Sequence, residues 1–148
     1  MKAIAVFAFF LFVLAGCATT QQYQHSFAPV KFNQSSDLAS SNGNAKIYVL
    51  RRYAFAGSGI SIDIADTGRP VGKIAAGSVI SWERLPGQVV VGASASNEAN
   101  VTFTVNEGDV VFIETKTNWG AGFNNASCEI RILSNEEGRT MLNSILGK

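Results

Sequence analysis

A chain of 148 residues with 12 basic and 11 acidic side chains carries a formal net charge of +1. No run of Lys or Arg gathers into a basic face, so nucleic acid has no electrostatic footprint to grip. One histidine and two cysteines supply neither the ligands of a zinc site nor a held nucleophile–base pair, which leaves metal and nucleophilic chemistry without residues.

Met1-Lys2 gives a short positive start, and residues 3–15 are almost wholly apolar, with Phe7, Phe9, Phe10 and Phe12 among aliphatics. Small residues then lead to one cysteine. This is the build of a secretory signal peptide over 1–16, too short for a membrane-spanning helix. The closing run Leu14, Ala15, Gly16, Cys17 resembles the lipobox of bacterial lipoproteins. The resemblance implies cleavage before Cys17, a diacylglycerol on its thiol and acylation of the new amino group. Each buried acyl methylene then contributes about 0.8 kcal/mol to membrane attachment. Ala18 follows the cysteine where an Asp would retain the protein, so the same resemblance implies an outer-membrane address facing the periplasm. Losing Lys2 from the 12 basic side chains leaves 11 against 11 acidic ones, with no polybasic patch to assist the lipid.

Residues 18–44 are rich in Gln, Ser, Thr, Asn and Ala, with scattered apolar positions. Such a stretch buries too little to offset its ordering entropy, so 17–45 reads as a lipidated cysteine and flexible tether. The alternative is that Tyr23, Phe27, Phe32 and Leu38 dock on the following domain or on a partner.

From Lys46 the period becomes two. Ile60, Ile62 and Ile64 alternate with Ser61, Asp63 and Ala65, and Val101, Phe103 and Val105 alternate with Thr102 and Thr104, as in half-buried strands. Further strands are expected over 46–53, 71–74, 79–84, 89–96, 110–117 and 127–133. Turn chemistry separates them at Gly57-Ser58-Gly59, 66–70, Pro86-Gly87 and 106–109. About seven or eight short strands at this spacing predict an all-β antiparallel sandwich or barrel spanning 46–148. Ser134-Asn135-Glu136-Glu137 fits a capping box, and Met141, Leu142, Ile145 and Leu146 follow at helical spacing, so a short C-terminal helix is expected against the sheet. Gly138 weakens that helix. Cys128 alternates with Ile130 and Ile132, while Glu129 and Arg131 take the other face; with Cys17 acylated, Cys128 has no disulfide partner and reads as a buried structural residue.

The residues Ile47-Tyr48-Val49-Leu50-Arg51, Val71-Gly72-Lys73-Ile74, Gly77-Ser78, Leu85-Pro86-Gly87 and Glu107-Gly108-Asp109 come in an order that resembles the bacterial lipoprotein family DUF2846, a domain of unknown function. The Pro-Gly turn before Gln88-Val89-Val90-Val91 is also similar to prealbumin-like and PEGA-type surface modules. The resemblance covers roughly 46–140 and implies a small β-sandwich. These are turn and core positions, and they imply no activity.

Asp66-Thr67-Gly68 matches the triplet of aspartic proteases, whose chemistry needs two such carboxylates sharing a proton. A single copy followed by Arg69-Pro70 reads instead as a hairpin turn. The stretch 68–73 lacks the glycine spacing and the Ser/Thr of a phosphate loop. Asp63/Asp66 and Glu136/Glu137 read as a solvated strand face and a helix start. Trp82 alternates with Ile80 and reads as core; one of Arg51-Arg52 is expected to pair with a carboxylate across the sheet. In 118–125, Trp119 and Phe123 sit in a Gly/Asn-rich connection, where they either serve as recognition anchors or fold back to cap one end of the sandwich. The expectation is a non-enzymatic structural or protein-binding module of the cell envelope, lipid-anchored and free of cofactor or metal. Its partner would be another envelope protein, and the pattern does not fix an oligomeric state. A small-molecule or glycan binder using Trp119 and Phe123 is the alternative.

Overall fold

The computed structural model describes Leu38, residues 43–119 and residues 126–147. Eight strands and one helix follow in order: β1 (Ala45–Arg51), β2 (Ile62–Asp66), β3 (Arg69–Ile74), β4 (Ser78–Arg84), β5 (Gly87–Ser94), β6 (Glu98–Val105), β7 (Val110–Trp119), β8 (Ala126–Leu133) and α1 (Asn135–Leu146). They form two four-stranded sheets, β4-β1-β7-β8 and β3-β2-β5-β6. The mainly-β architecture with a C-terminal helix is the one the alternation implies.

One pairing departs from the antiparallel expectation. β1 and β7 run parallel, with Ile47 opposite Val111 and Val49 opposite Ile113. All strands between them in sequence intervene, and the chain changes sheet before returning; a connection that long permits parallel neighbours, whereas a tight turn does not.

The alternating residues meet between the sheets. Ile47, Val49, Ile62, Ile64, Val89, Val91, Ile113 and Cys128 form the inner core, closed by Trp82. Cys128 is 2 % exposed, and its thiol donates to the Ala93 carbonyl at 3.2 Å. Burial pushes the thiol pKa up, which favours the inert protonated form. Ile130 packs on this core, but Ile132 on the same face is 44 % exposed, because it lies toward the open flank of the sandwich.

β1 is buried on both faces because its outer side chains meet the helix. Tyr48, Leu50, Phe112, Leu133, Met141 and Leu142 make a second cluster, with Leu38 packed against it. Leu38 therefore docks on the domain; Tyr23, Phe27 and Phe32 lie outside the described residues. The capping box is present in full. Ser134 Oγ accepts from the Glu137 amide, and the Glu137 carboxylate accepts from the Ser134 amide at 3.0 Å. Gly138 has a packing role that its poor helix propensity concealed: a Cβ built there would stand 2.2 Å from Phe112 Cγ. The missing side chain is what lets α1 lie directly on the Phe112 ring.

Asp66 corrects the reading of a solvated strand face. Asp63 is exposed and paired with Lys73 at 2.6 Å, but Asp66 is fully buried. It shares the inner face with Ile62 and Ile64, so the strand's own parity carries it inward. Its Oδ1 accepts from Arg84 Nη1 at 2.6 Å and from the Thr67 hydroxyl at 2.8 Å, and its Oδ2 accepts from the Trp82 indole at 2.8 Å. β2 and β4 belong to different sheets, so this carboxylate clasps the sandwich. The Asp-Thr-Gly triplet is the hairpin turn expected of it: Thr67 and Gly68 take φ of +49° and +77°, as a two-residue primed turn requires.

Candidate functional site

The two ends of the sandwich differ in chemistry. At the entry end, where the chain reaches Ala45, the Asp66 clasp is closed and the Lys46 amide donates to the Asp109 carbonyl at 2.8 Å. The opposite end gathers the segment after β1, the β5–β6 turn, the outgoing end of β7 and the start of β8.

Arg51 organises that far end. β1 places it on the inner face, 2 % exposed. Its Nη1 donates to the Ile60 carbonyl at 2.6 Å and the Ile74 carbonyl at 3.0 Å, while Nη2 donates to Gly57 at 2.9 Å and more weakly to Thr117 Oγ1 at 3.5 Å. Desolvation lowers its pKa, although a guanidinium keeps its proton in proteins. The carbonyls brace the segment between β1 and β2 against the sheets. Arg52 instead reaches Glu114 at 3.4 Å, the cross-sheet carboxylate pairing expected of one of the two arginines.

The braced segment carries Tyr53, 68 % exposed, and Phe55, 88 % exposed. Neither is apolar material the core can use, and sequence reading passed over both. It extended the first strand to Tyr53, whereas β1 ends at Arg51. The signal was present in an aromatic placed two residues before Gly57-Ser58-Gly59, where turn chemistry excludes a buried strand position.

Trp119 closes β7, with its backbone opposite Ala126. Phe123, the other predicted anchor, lies outside the described residues, as do Cys17 and the lipobox residues Leu14, Ala15 and Gly16. Beside Ala126 a hollow of about 350 Å³ is lined by Ile60, Ser61, Ala95 and Ser96. A second hollow, of about 460 Å³, lies elsewhere, on the outer face of β3-β2-β5-β6, over Ala65, Gly72, Val90 and Gly92. It is built from small side chains, with Asp63 and Lys73 at its margin.

Asp66 has both carboxylate oxygens engaged by donors, which leaves it no lone pair aimed at solvent. Among the described residues no group of three His, Cys, Asp or Glu side chains is placed to hold a metal ion, and no helix is long and apolar enough to cross a membrane. The sequence matches no model of a known protein family, and no curated protein matches it.

Proposed function

We propose that the chain is a lipid-anchored protein of the cell envelope whose β-sandwich is a non-enzymatic module for binding another envelope protein. The observation that carries the reading is the arrangement of ends. The chain enters at Ala45, and Tyr53 and Phe55 stand exposed at the opposite end. A domain acylated at Cys17 and linked through 17–45 is attached to the bilayer at its entry end, so its aromatic end is free to face outward. Rings held on a braced segment are favoured interface anchors, because little side-chain entropy is lost when they are covered. An exposed apolar surface suits a protein partner more than a small ligand, which needs concave walls.

The lipobox resemblance supports attachment to the outer membrane on its periplasmic side. The resemblance to DUF2846 lipoproteins supports the same address and adds no activity. A glycan or small-molecule binder is the second reading. It is favoured by the hollow beside Ala126, whose walls are Ile60, Ser61, Ala95 and Ser96.

The test is site-specific photo-crosslinking in intact cells. A photoreactive residue at Phe55 is expected to capture a discrete protein partner, and the same residue at exposed Gln88, on β5 and away from the aromatic end, is expected to capture none. Equal capture at both positions, or none at Phe55, contradicts the reading. The anchor is checked with a fatty-acid analogue, which is expected to label the parent chain and leave Cys17→Ser unlabelled. Tryptophan quenching by cell-wall fragments, with no crosslink at Phe55, would shift the conclusion to the second reading.

A further inference from the structure

A sheet edge presents unpaired N–H and C=O groups to any strand that approaches, and folded proteins block such edges with charge, proline, bulges or covering segments. Three of the four edges here are blocked. β3 carries Pro70, which has no N–H, and a register break opposes it between Ile64 and Ala65. β8 is covered at its start, over Ala126 and Cys128, by the β5–β6 turn. The Asn97 carboxamide accepts from the Cys128 amide at 2.6 Å and donates to the Cys128 carbonyl at 3.0 Å, while the Ser96 hydroxyl donates to the Ala126 carbonyl. β4 ends in the charges of Glu83 and Arg84, and Arg84 folds over the following turn to the Leu85 and Gln88 carbonyls.

β6 carries a single charge, the exposed Glu98 at its start, and no proline, bulge or covering side chain among the described residues. Among the described residues it is hydrogen-bonded to β5 alone, in unbroken register from Glu98 to Val105. Residues 99–105 contain no charge and no proline. Its exposed side chains are Asn100, Thr102 and Thr104, and its inward ones, Val101 and Phe103, are only partly buried. They lie on the flank where β6 packs over β8, the flank to which Ile130 and exposed Ile132 also belong. An edge left unpaired by the described residues thus runs beside a strip of half-buried apolar side chains that ends in exposed Ile132.

We propose that this edge is a self-pairing surface, and that its occupant is β6 of a second copy of this chain. The case for a second copy is self-complementarity. An antiparallel pairing centred on Thr102 sets Thr102 against its own counterpart and Asn100 against Thr104 on the outer face. On the inner face it sets Val101 against Phe103, a β-branched residue against an aromatic. Each is a favourable cross-strand pair, and no like charges oppose. The two-fold joins the two bare sheets into one continuous sheet, covers both flank strips and leaves each aromatic end free. Such an isologous contact closes on itself and stops at a dimer.

The test uses the full chain in the cells that make it. Antiparallel neighbours bring Cα atoms to roughly 4.5–5.5 Å, within the reach of a disulfide at about 4.4–6.8 Å. Thr102→Cys is therefore expected to yield, on mild oxidation, a reducible species of twice the chain mass. Gln88→Cys, exposed on the neighbouring strand, and the parent chain with only Cys17 and Cys128 are expected to yield none. Light scattering on the extracted protein gives a second readout: the parent chain is expected at twice the monomer mass. Thr102→Lys, which opposes two ammonium groups on an exposed site, is expected at monomer mass with thermal unfolding unchanged. A parent chain at monomer mass, a Thr102→Cys chain that forms no dimer, or a Thr102→Lys chain that stays dimeric overturns the proposal. A Thr102→Cys adduct of any other mass overturns it as well, by showing that a different protein occupies the edge.

Discussion

The outer faces of the two sheets have opposite fates. On β4-β1-β7-β8 the face is apolar and covered: Tyr48 stacks on Phe112 with ring centroids 5.3 Å apart, and α1 seals the pair with Met141 and Leu142. On β3-β2-β5-β6 no described residue covers the corresponding face, which carries small or polar residues such as Ala65, Gly92, Asn100 and Thr102. Both sheets share one inner core, so the difference comes from the outward positions alone. Large apolar residues there demand a lid, whereas small and polar ones tolerate water. The covered sheet is committed to stability, and the bare one, with its open β6 edge, remains available for contact.

The comparison can be broken at several strengths. The largest effect is expected where the two sheets are clasped. Asp66→Ala strands the Arg84 cation and the Trp82 indole, and removing one partner of a buried pair costs about 3–5 kcal/mol; urea unfolding should show the midpoint fall by that equivalent. Met141→Ala, at a position of α1 that is 2 % exposed, removes packing only from the covered face. It should cost about 2–5 kcal/mol by the same measurement, without altering any surface of the bare sheet. Ser134→Ala deletes the cap of α1 and should cost about 1 kcal/mol, visible as a lowered Tm.

A smaller effect concerns pH. The Glu137 carboxyl is held below its ordinary value, first by the Ser134 amide that donates to it and then by the Ser134 hydroxyl, with Arg131 adding to both. A depressed carboxylate pKa means its contribution is in place above the unfolded value of about 4.3. That contribution is lost as pH falls through the lower folded value. The helix should therefore loosen on acidification, and Glu137→Gln should flatten that pH dependence in circular dichroism. An equally steep profile in the variant would remove Glu137 from the account.

The strands were legible because both inner faces obey a period of two without interruption, as in Ile60-Ile62-Ile64 and Val101-Phe103-Val105. The helix was legible through its capping box. What alternation does not carry is partnership. Nothing local distinguishes a parallel β1–β7 neighbour from an antiparallel one, since both require the same inward residues. Asp66 was misassigned because its charge was weighed ahead of its parity, and its donors, Trp82 and Arg84, lie in another strand. Gly138 was read as a helix weakness because its reason is Phe112, which lies far back in the sequence. The aromatic end was half legible. Trp119 stands out by its polar connection, whereas the alternation of the first strand runs on to Tyr53 and leaves Phe55, in an equally turn-rich setting, without a reading.

The contrast between the faces is tested most directly by one pair of melting curves, for Gly138→Ala and Gly92→Ala. In an exposed helix the first change would stabilise by about 0.5–1 kcal/mol. Here the new methyl meets the Phe112 ring at 2.2 Å, and overpacking of this kind costs about 1–3 kcal/mol. On the bare sheet, a methyl at Gly92 meets only the Asn100 amide oxygen at 2.7 Å. That side chain is exposed and able to swing aside, so the change should stay within about 0.5 kcal/mol. A Tm that falls sharply for Gly138→Ala and barely moves for Gly92→Ala is the predicted result. A Gly138→Ala chain as stable as the parent, or a Gly92→Ala chain that loses as much, would contradict the division into one covered and one free face.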